Sequence, residues 1–214
     1  MAEGMKPYYQ DESVTIYNAD CRDVLPTLDK VDLVLTDPPY GIERFKKGFG
    51  TTRFGQHQDV ATDGIPWDVK PTRETLNTIL NAGANAIIWG YNNLPLPLSE
   101  HFLVWDKFQT VDNFSSAEIA YINAPIPAKV FRYPIHQHNQ TKNGGHPTEK
   151  PVSVMRWCAE FFPDAQTILD PFMGSGTTLR AAKDLSRKAI GIELEERYCE
   201  IAANRMSQLV MELN

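Results

Sequence analysis

Apolar positions along the chain fall into two rhythms. Val31 to Thr36 is a nearly continuous apolar run, the pattern of a strand buried on both faces of a parallel sheet. Shorter β-prone runs stand at Val14 to Tyr17, Ala86 to Trp89, Phe102 to Trp105, Ala117 to Ile122, Thr167 to Leu169 and Ala189 to Glu193. Helical segments are predicted between them: Arg22 to Leu28, Pro71 to Leu80, Thr148 to Phe162, Ser175 to Leu185, and a last helix from about Glu195. Pro71 and Thr72 suit a helix start and Gly83 a stop, while Thr148 suits a cap with Pro151 in the first turn. Strands alternating with helices predict an α/β fold, a doubly wound and mostly parallel sheet of seven strands.

Two stretches break the rhythm. Residues 41–68 lack periodicity and read as a long, mobile, polar loop; loops of that length in a compact domain are usually functional or disordered. Residues 123–146 are rich in polar residues and proline and read as irregular, with no core of their own. No internal repeat, low-complexity tract or linker is visible, so residues 1–214 read as one domain.

Composition narrows the class. At 42% hydrophobic and 22% charged residues, the 214-residue chain has the balance of a globular domain with a full core. No run approaches the roughly 18 apolar residues of a membrane span. Met1 to Gln10 lacks an apolar signal region, and Cys21, Cys158 and Cys199 show no disulfide or zinc spacing, so a reducing cytoplasm is expected. The net charge of −6 excludes indiscriminate nucleic-acid binding through the whole surface. Basic residues are nevertheless grouped. Arg44, Lys46, Lys47 and Arg53 stand in the loop with Phe45, Phe49 and Phe54, and Lys129, Arg132, Lys142 and Lys150 stand further on.

Two motifs carry chemistry, and each follows a predicted strand. Asp170-Pro171-Phe172-Met173-Gly174-Ser175-Gly176-Thr177-Thr178 is a strand-end acid, a glycine turn and a helix start. Glycines let a ligand approach the backbone, and the helix start offers unpaired N–H groups. Glu193, at the end of the next strand, can accept from a ribose diol. A phosphate-binding P-loop needs lysine where Thr177 stands, so that reading fails. A dehydrogenase fingerprint needs a third glycine where Leu179 stands, which weakens that reading.

The other motif is Asp37-Pro38-Pro39-Tyr40. Two prolines fix φ and remove two backbone donors, leaving the Pro38 carbonyl in a rigid outward turn. Asp37 adds a second acceptor and Tyr40 an aromatic face. Two acceptors and a ring match a planar base carrying an exocyclic amine. Hydrogen bonds to both amine protons would localise the nitrogen lone pair for attack on an electrophilic methyl group. Proline pairs are also ordinary loop punctuation, but the flanking acid and tyrosine at a buried strand end favour the chemical reading.

With His146-Pro147-Thr148-Glu149-Lys150-Pro151 between them, these motifs make the chain resemble S-adenosylmethionine-dependent DNA amino-methyltransferases of the permuted β type, over roughly Val14 to Met206. The order, base motif before cofactor motif, separates it from small ribosomal-RNA guanine methyltransferases. The resemblance implies a class I, Rossmann-like methyltransferase fold with S-adenosylmethionine as cofactor and no metal. It implies cofactor contacts from Asp20, Cys21, Thr148, Lys150, Asp170, Pro171, Phe172, Gly174, Ser175, Gly176, Thr177 and Glu193. Among these, Asp20 would meet the adenine, Glu193 the ribose, and Thr148 with Lys150 the methionine carboxylate. Asp37, Pro38, Pro39 and Tyr40 would grip a flipped base.

None of the three cysteines follows a proline, which argues against pyrimidine carbon-5 methylation. Aspartate at the first motif position is similar to the adenine N6 enzymes; cytosine N4 is the alternative, and a non-catalytic nucleotide- or DNA-binding module the alternative of another class. DNA is the expected partner, through Arg44, Lys46, Lys47 and Arg53. A homodimer is compatible with the family, whereas a restriction-enzyme partner is not indicated either way. Residues 123–146 are too short for a separate recognition domain and suggest a short or relaxed target.

Overall fold

The computed structural model describes residues 5–41, 69–109, 115–141 and 149–208. In chain order its strands are β1 (Tyr9–Gln10), β2 (Val14–Asn18), β3 (Val31–Thr36), β4 (Gly83–Trp89), β5 (Phe102–Asp106), β6 (Ala117–Ile122), β7 (Lys129–Arg132), β8 (Thr167–Asp170) and β9 (Lys188–Glu193). The helices are α1 (Cys21–Val24), α2 (Arg73–Asn81), α3 (Ile135–Thr141), α4 (Val152–Glu160), α5 (Thr177–Asp184) and α6 (Glu196–Ser207). One sheet runs β1-β2-β9-β8-β3-β4-β6-β5-β7. Strands β2, β9, β8, β3 and β4 are parallel neighbours, and β6 pairs antiparallel with both β4 and β5.

The expected seven strands are all present, but the described sheet has nine. β1 is a two-residue edge ribbon, and β7 lies inside the stretch read as irregular. Three of the four β7 side chains are exposed, so it carries no apolar alternation to betray it. Helix α3 occupies the same stretch.

Alternation along the central strands sorts the core into two layers. Leu33, Leu35, Ile87 and Trp89 face one side and pack with Val154, Met155, Cys158, Leu179, Ala182 and Ala202 of α4, α5 and α6. Val34, Ala86 and Ile88 face the other, against Val24, Leu76 and Ile79 of α1 and α2. Full burial of each such Leu or Ile contributes roughly 1.5–3 kcal/mol. Thr72 caps α2, its hydroxyl accepting from the Thr75 N–H at 3.2 Å. α4 begins later than expected: its N-cap is Pro151, with no side-chain cap bond, and Thr148 lies outside the described residues.

The β3–β8 pairing positions the site. From β8 the chain returns through α5 to β9 on one side, and from β3 it reaches β4 on the other. The crevice beyond the carboxyl ends of such strands is where ligands bind in open α/β sheets. The ladder there is short, Leu33 with Ile168 and Val34 with Leu169, whereas β3 pairs with β4 from Val31 to Thr36. At the opposite end Asp32 clamps the seam: its Oδ2 accepts from the N–H groups of Gln166 and Thr167, both at 2.9 Å, and from the Thr167 hydroxyl at 2.8 Å. Those three hydrogen bonds hold its carboxyl below the ordinary carboxylate range.

Candidate active site

The carboxyl ends of β2, β9, β8, β3 and β4 bring together most of the predicted site residues in one row. Asp20 follows β2, Glu193 ends β9, the glycine turn follows β8, Asp37 to Tyr40 follow β3, and Gly90 follows β4. Asn18 ties the first two ends, donating from Nδ2 to the carbonyls of Glu193 at 3.1 Å and Leu194 at 2.9 Å.

In the glycine turn, Phe172 and Gly174 are half-buried, while Pro171, Ser175, Gly176 and Thr177 are buried. Asp170 is buried beneath the turn, accepting from the Thr36 hydroxyl at 2.7 Å and the Phe172 N–H at 3.1 Å. Burial pushes its carboxyl up to about 6 against those hydrogen bonds. Asp170 therefore shapes the turn and bridges the seam. Ser175 also turns inward, its hydroxyl donating to Glu149, which accepts from Arg205 of α6 at 3.1 Å as well. Glu149 thus brackets the segment before α4 to the cofactor turn and to α6.

Glu193 is half-buried, and burial raises its carboxyl although the backbone hydrogen bonds oppose it. Its Oε2 accepts from the Gly174 N–H at 3.0 Å and its Oε1 from the Glu195 N–H at 2.9 Å. Each oxygen keeps a further lone-pair direction, which fits a ribose diol. The fit of a nucleoside cofactor rests on this carboxylate, on the half-buried Phe172 and Gly174 of the turn, and on the backbone at Gly176. Gly176 caps α5 with a left-handed φ of 80°, and a Cβ there would lie 2.9 Å from Ala202 Cβ. Asp20 is committed to its own helix: it accepts from the Arg22 backbone at 2.8 Å and from the guanidinium at 3.0 and 2.6 Å. Arg22 holds its carboxyl below the usual range. Cys21 is buried behind it, and burial pushes its thiol up to about 12.

At the base motif Asp37, Pro39 and Tyr40 are half-buried, and Pro38, expected in an outward turn, is buried. Asp37 Oδ1 accepts from the Tyr40 hydroxyl and Oδ2 from Lys150 Nζ at 2.6 Å. Burial raises the Asp37 carboxyl despite Lys150; burial and the Asp37 charge raise the Tyr40 hydroxyl. Gly90, with φ of 80°, lies against the Tyr40 ring and seats it on the end of β4.

Lys150 departs from expectation. Its side chain is only 4% exposed, and its ammonium lies between Asp37 and Glu118, 2.7 Å from Glu118 Oε2, and 5.4 Å from the Trp89 ring centroid. Burial disfavours its charge, but the carboxylates of Asp37 and Glu118 outweigh that and raise its pKa. Its polar contacts run to the base motif and to β6. Glu118 and Gly90 were not singled out in the sequence. The signal available for Glu118 was an acid within an otherwise apolar strand run. Arg44, Lys46, Lys47, Arg53 and Thr148 lie outside the described residues. Among the described residues no helix is long and apolar enough to cross a membrane.

A glycine turn and strand-end carboxylate on one side of a switch point, with an acid–proline–tyrosine turn on the other, define a class I methyltransferase. The DNA methylase family matches residues 104–204. YubD of Escherichia coli (strain K12) is 30% identical over 207 residues, covering 88% of each chain. The crystal structure of an M1.HpyAVI–SAM complex superposes with a TM-score of 0.58 at 23% identity, over 90% of this chain and 99% of that one. The cytosine-N4-specific PvuII DNA methyltransferase gives 0.60 at 15% identity, over 99% and 92%. The chain belongs to the DNA methylase family of S-adenosylmethionine-dependent DNA methyltransferases.

Proposed function

We propose that this chain methylates the exocyclic N6 of an adenine flipped out of DNA. The observation that carries this reading is the adjacency of the two motifs across the β3–β8 seam, joined by the Thr36–Asp170 hydrogen bond. The cofactor, seated along Glu193, Gly174 and Phe172, supplies an electrophilic methyl group. Asp37 accepts a hydrogen bond from the amine; Tyr40 and Lys150 occupy two of its roughly four lone-pair directions, so acceptor capacity remains. The Pro38 carbonyl is the second acceptor and Tyr40 the stacking face. Flipping costs a few kcal/mol, and stacking returns roughly 1–3 kcal/mol. What the residues then contribute is alignment of nitrogen and methyl carbon.

Aspartate at position 37 favours adenine over cytosine as the target. The basic residues between positions 41 and 68 would supply phosphate contacts in this reading, and the shortness of the 123–146 segment supports a short or relaxed recognition sequence. Radiolabelled methyl transfer to DNA, followed by nucleoside analysis, tests the proposal. N6-methyladenine is expected, and Asp37→Ala should lower the rate by at least about 100-fold. N4-methylcytosine as the product would replace the adenine assignment, and no transfer to DNA would sink the whole reading.

A further inference from the structure

The ion pairs behind Asp37 continue beyond the motif. Glu118, in β6, pairs with Lys150 through Oε2 at 2.7 Å and with Lys107, just after β5, through Oε1. The side chains of Lys107, Glu118, Asp37 and Lys150 are 14%, 23%, 21% and 4% exposed, so all four are largely withdrawn from water. Withdrawn charges are tolerated when paired, and here the signs alternate along the chain from Lys107 to Asp37. A single ammonium facing a single carboxylate closes into a tight pair. Here the Lys150 ammonium contacts two carboxylates at once, 2.6 Å from Asp37 and 2.7 Å from Glu118, so its charge is divided between them. The groups facing Asp37 are the Tyr40 hydroxyl of its own turn, Lys150 before α4, Glu118 of β6 and, beyond Thr36, Asp170 of β8. Cys158 of α4 stands near Lys150.

We propose that Glu118 is a positioning residue for methyl transfer. It takes a share of the Lys150 charge, so that Lys150 holds Asp37 Oδ2 without fully neutralising the carboxylate, and the remaining lone-pair directions of Asp37 stay strong acceptors for the base amine, while Lys107 balances the charge of Glu118. This rests on the reading of Asp37 as the amine's acceptor. Glu118 touches neither cofactor nor base; it acts through Lys150.

The test uses the full chain as wild type, Glu118→Gln, Glu118→Asp and Lys107→Gln. Methyl transfer to DNA is followed across pH, with cofactor binding and thermal melting measured alongside. Glu118→Gln should lower kcat by about 10- to 100-fold, the loss typical when a group supporting a directly acting residue is removed, and leave cofactor affinity unchanged. It should also move the acid limb of kcat/KM to lower pH, because the negative charge that raises Asp37 is gone. Glu118→Asp should restore part of kcat. Lys107→Gln should move the limb the other way, because Glu118, no longer balanced by Lys107, then takes a larger share of the Lys150 charge. An unmoved limb with unchanged kcat in an active, folded Glu118→Gln overturns this inference alone, as does activity lost only in step with folded fraction. Should that variant not fold, an unmoved limb in Lys107→Gln overturns it equally. A wild type that transfers no methyl group to DNA overturns the acceptor reading and this inference together.

Discussion

The backbone of Gly90 lies against the ring of Tyr40. A Cβ at Gly90 would fall 2.7 Å from both Cδ1 and Cζ of the ring, and the residue's φ of 80° already favours glycine. The end of β4 is thus the seat for the Tyr40 ring, the face that would stack on the base in the proposed reaction. Gly90→Ala should push the ring off that seat and lower kcat/KM for DNA by about 10- to 100-fold, the loss expected when positioning slips by an ångström. Cofactor affinity, measured by calorimetry, should stay unchanged.

Gly176→Ala should strike the other half of the site. The left-handed φ costs a non-glycine residue about 1–2 kcal/mol, and the new methyl meets Ala202 of α6. Thermal melting should fall by several degrees, at roughly 2–4 °C per kcal/mol for a chain of this size. Cofactor binding should weaken with it, since the glycine turn and α6 cannot both keep their places.

Glu193→Gln replaces a carboxylate whose two oxygens each accept a backbone N–H. The amide NH2 must then face either Gly174 or Glu195, donor against donor, and one ribose acceptor is lost. Hydrogen bonds to charged groups are worth about 1.5–3 kcal/mol, so cofactor affinity should drop by about 10- to 100-fold. At saturating cofactor kcat should stay near wild type. A large loss of kcat with unchanged affinity would assign Glu193 a different role.

Asp170 gives a stability prediction with a definite sign. Burial raises its carboxyl from 3.8 to about 6 in the folded chain. Between those values the folded state holds more protons than the unfolded one, so stability falls as pH rises through the window. The contribution is full below about 4 and lost above about 6, on the order of 3 kcal/mol. Asp170→Asn keeps an acceptor for Thr36 and Phe172 and cannot ionise. Its denaturation midpoint between pH 4 and pH 6 should lack the part of the wild-type slope that Asp170 contributes. Identical slopes for the two proteins would contradict the assignment.

The seven strands and both motifs were legible because a buried strand must be apolar and a tight turn must carry glycine or proline. β7 was not, because Lys129, Val130 and Arg132 face solvent at a sheet edge and need no pattern. The positions of Asp37 and Glu193 followed from strand ends. The directions of side chains did not: Ser175 and Asp170 turn inward, and the lysine that precedes α4 reaches Asp37 across 113 positions. Such choices depend on which charges the fold brings together, and no local spacing encodes them. The three cysteines are all buried, and burial pushes the Cys199 thiol up to about 12.

The short ladder between β3 and β8 has a consequence for the reaction. In the proposed reaction, donor and acceptor sit on separate strands whose mutual offset is fixed by two pairs of partners and by the grip of Asp32 on Gln166 and Thr167. Sliding one strand by the smallest step that keeps its faces would move its end by roughly 6.5–7 Å. Reacting atoms must approach to about 3–3.5 Å. The span that the methyl group crosses is therefore set like the teeth of a zip, and a carboxylate at the closed end keeps the teeth from skipping.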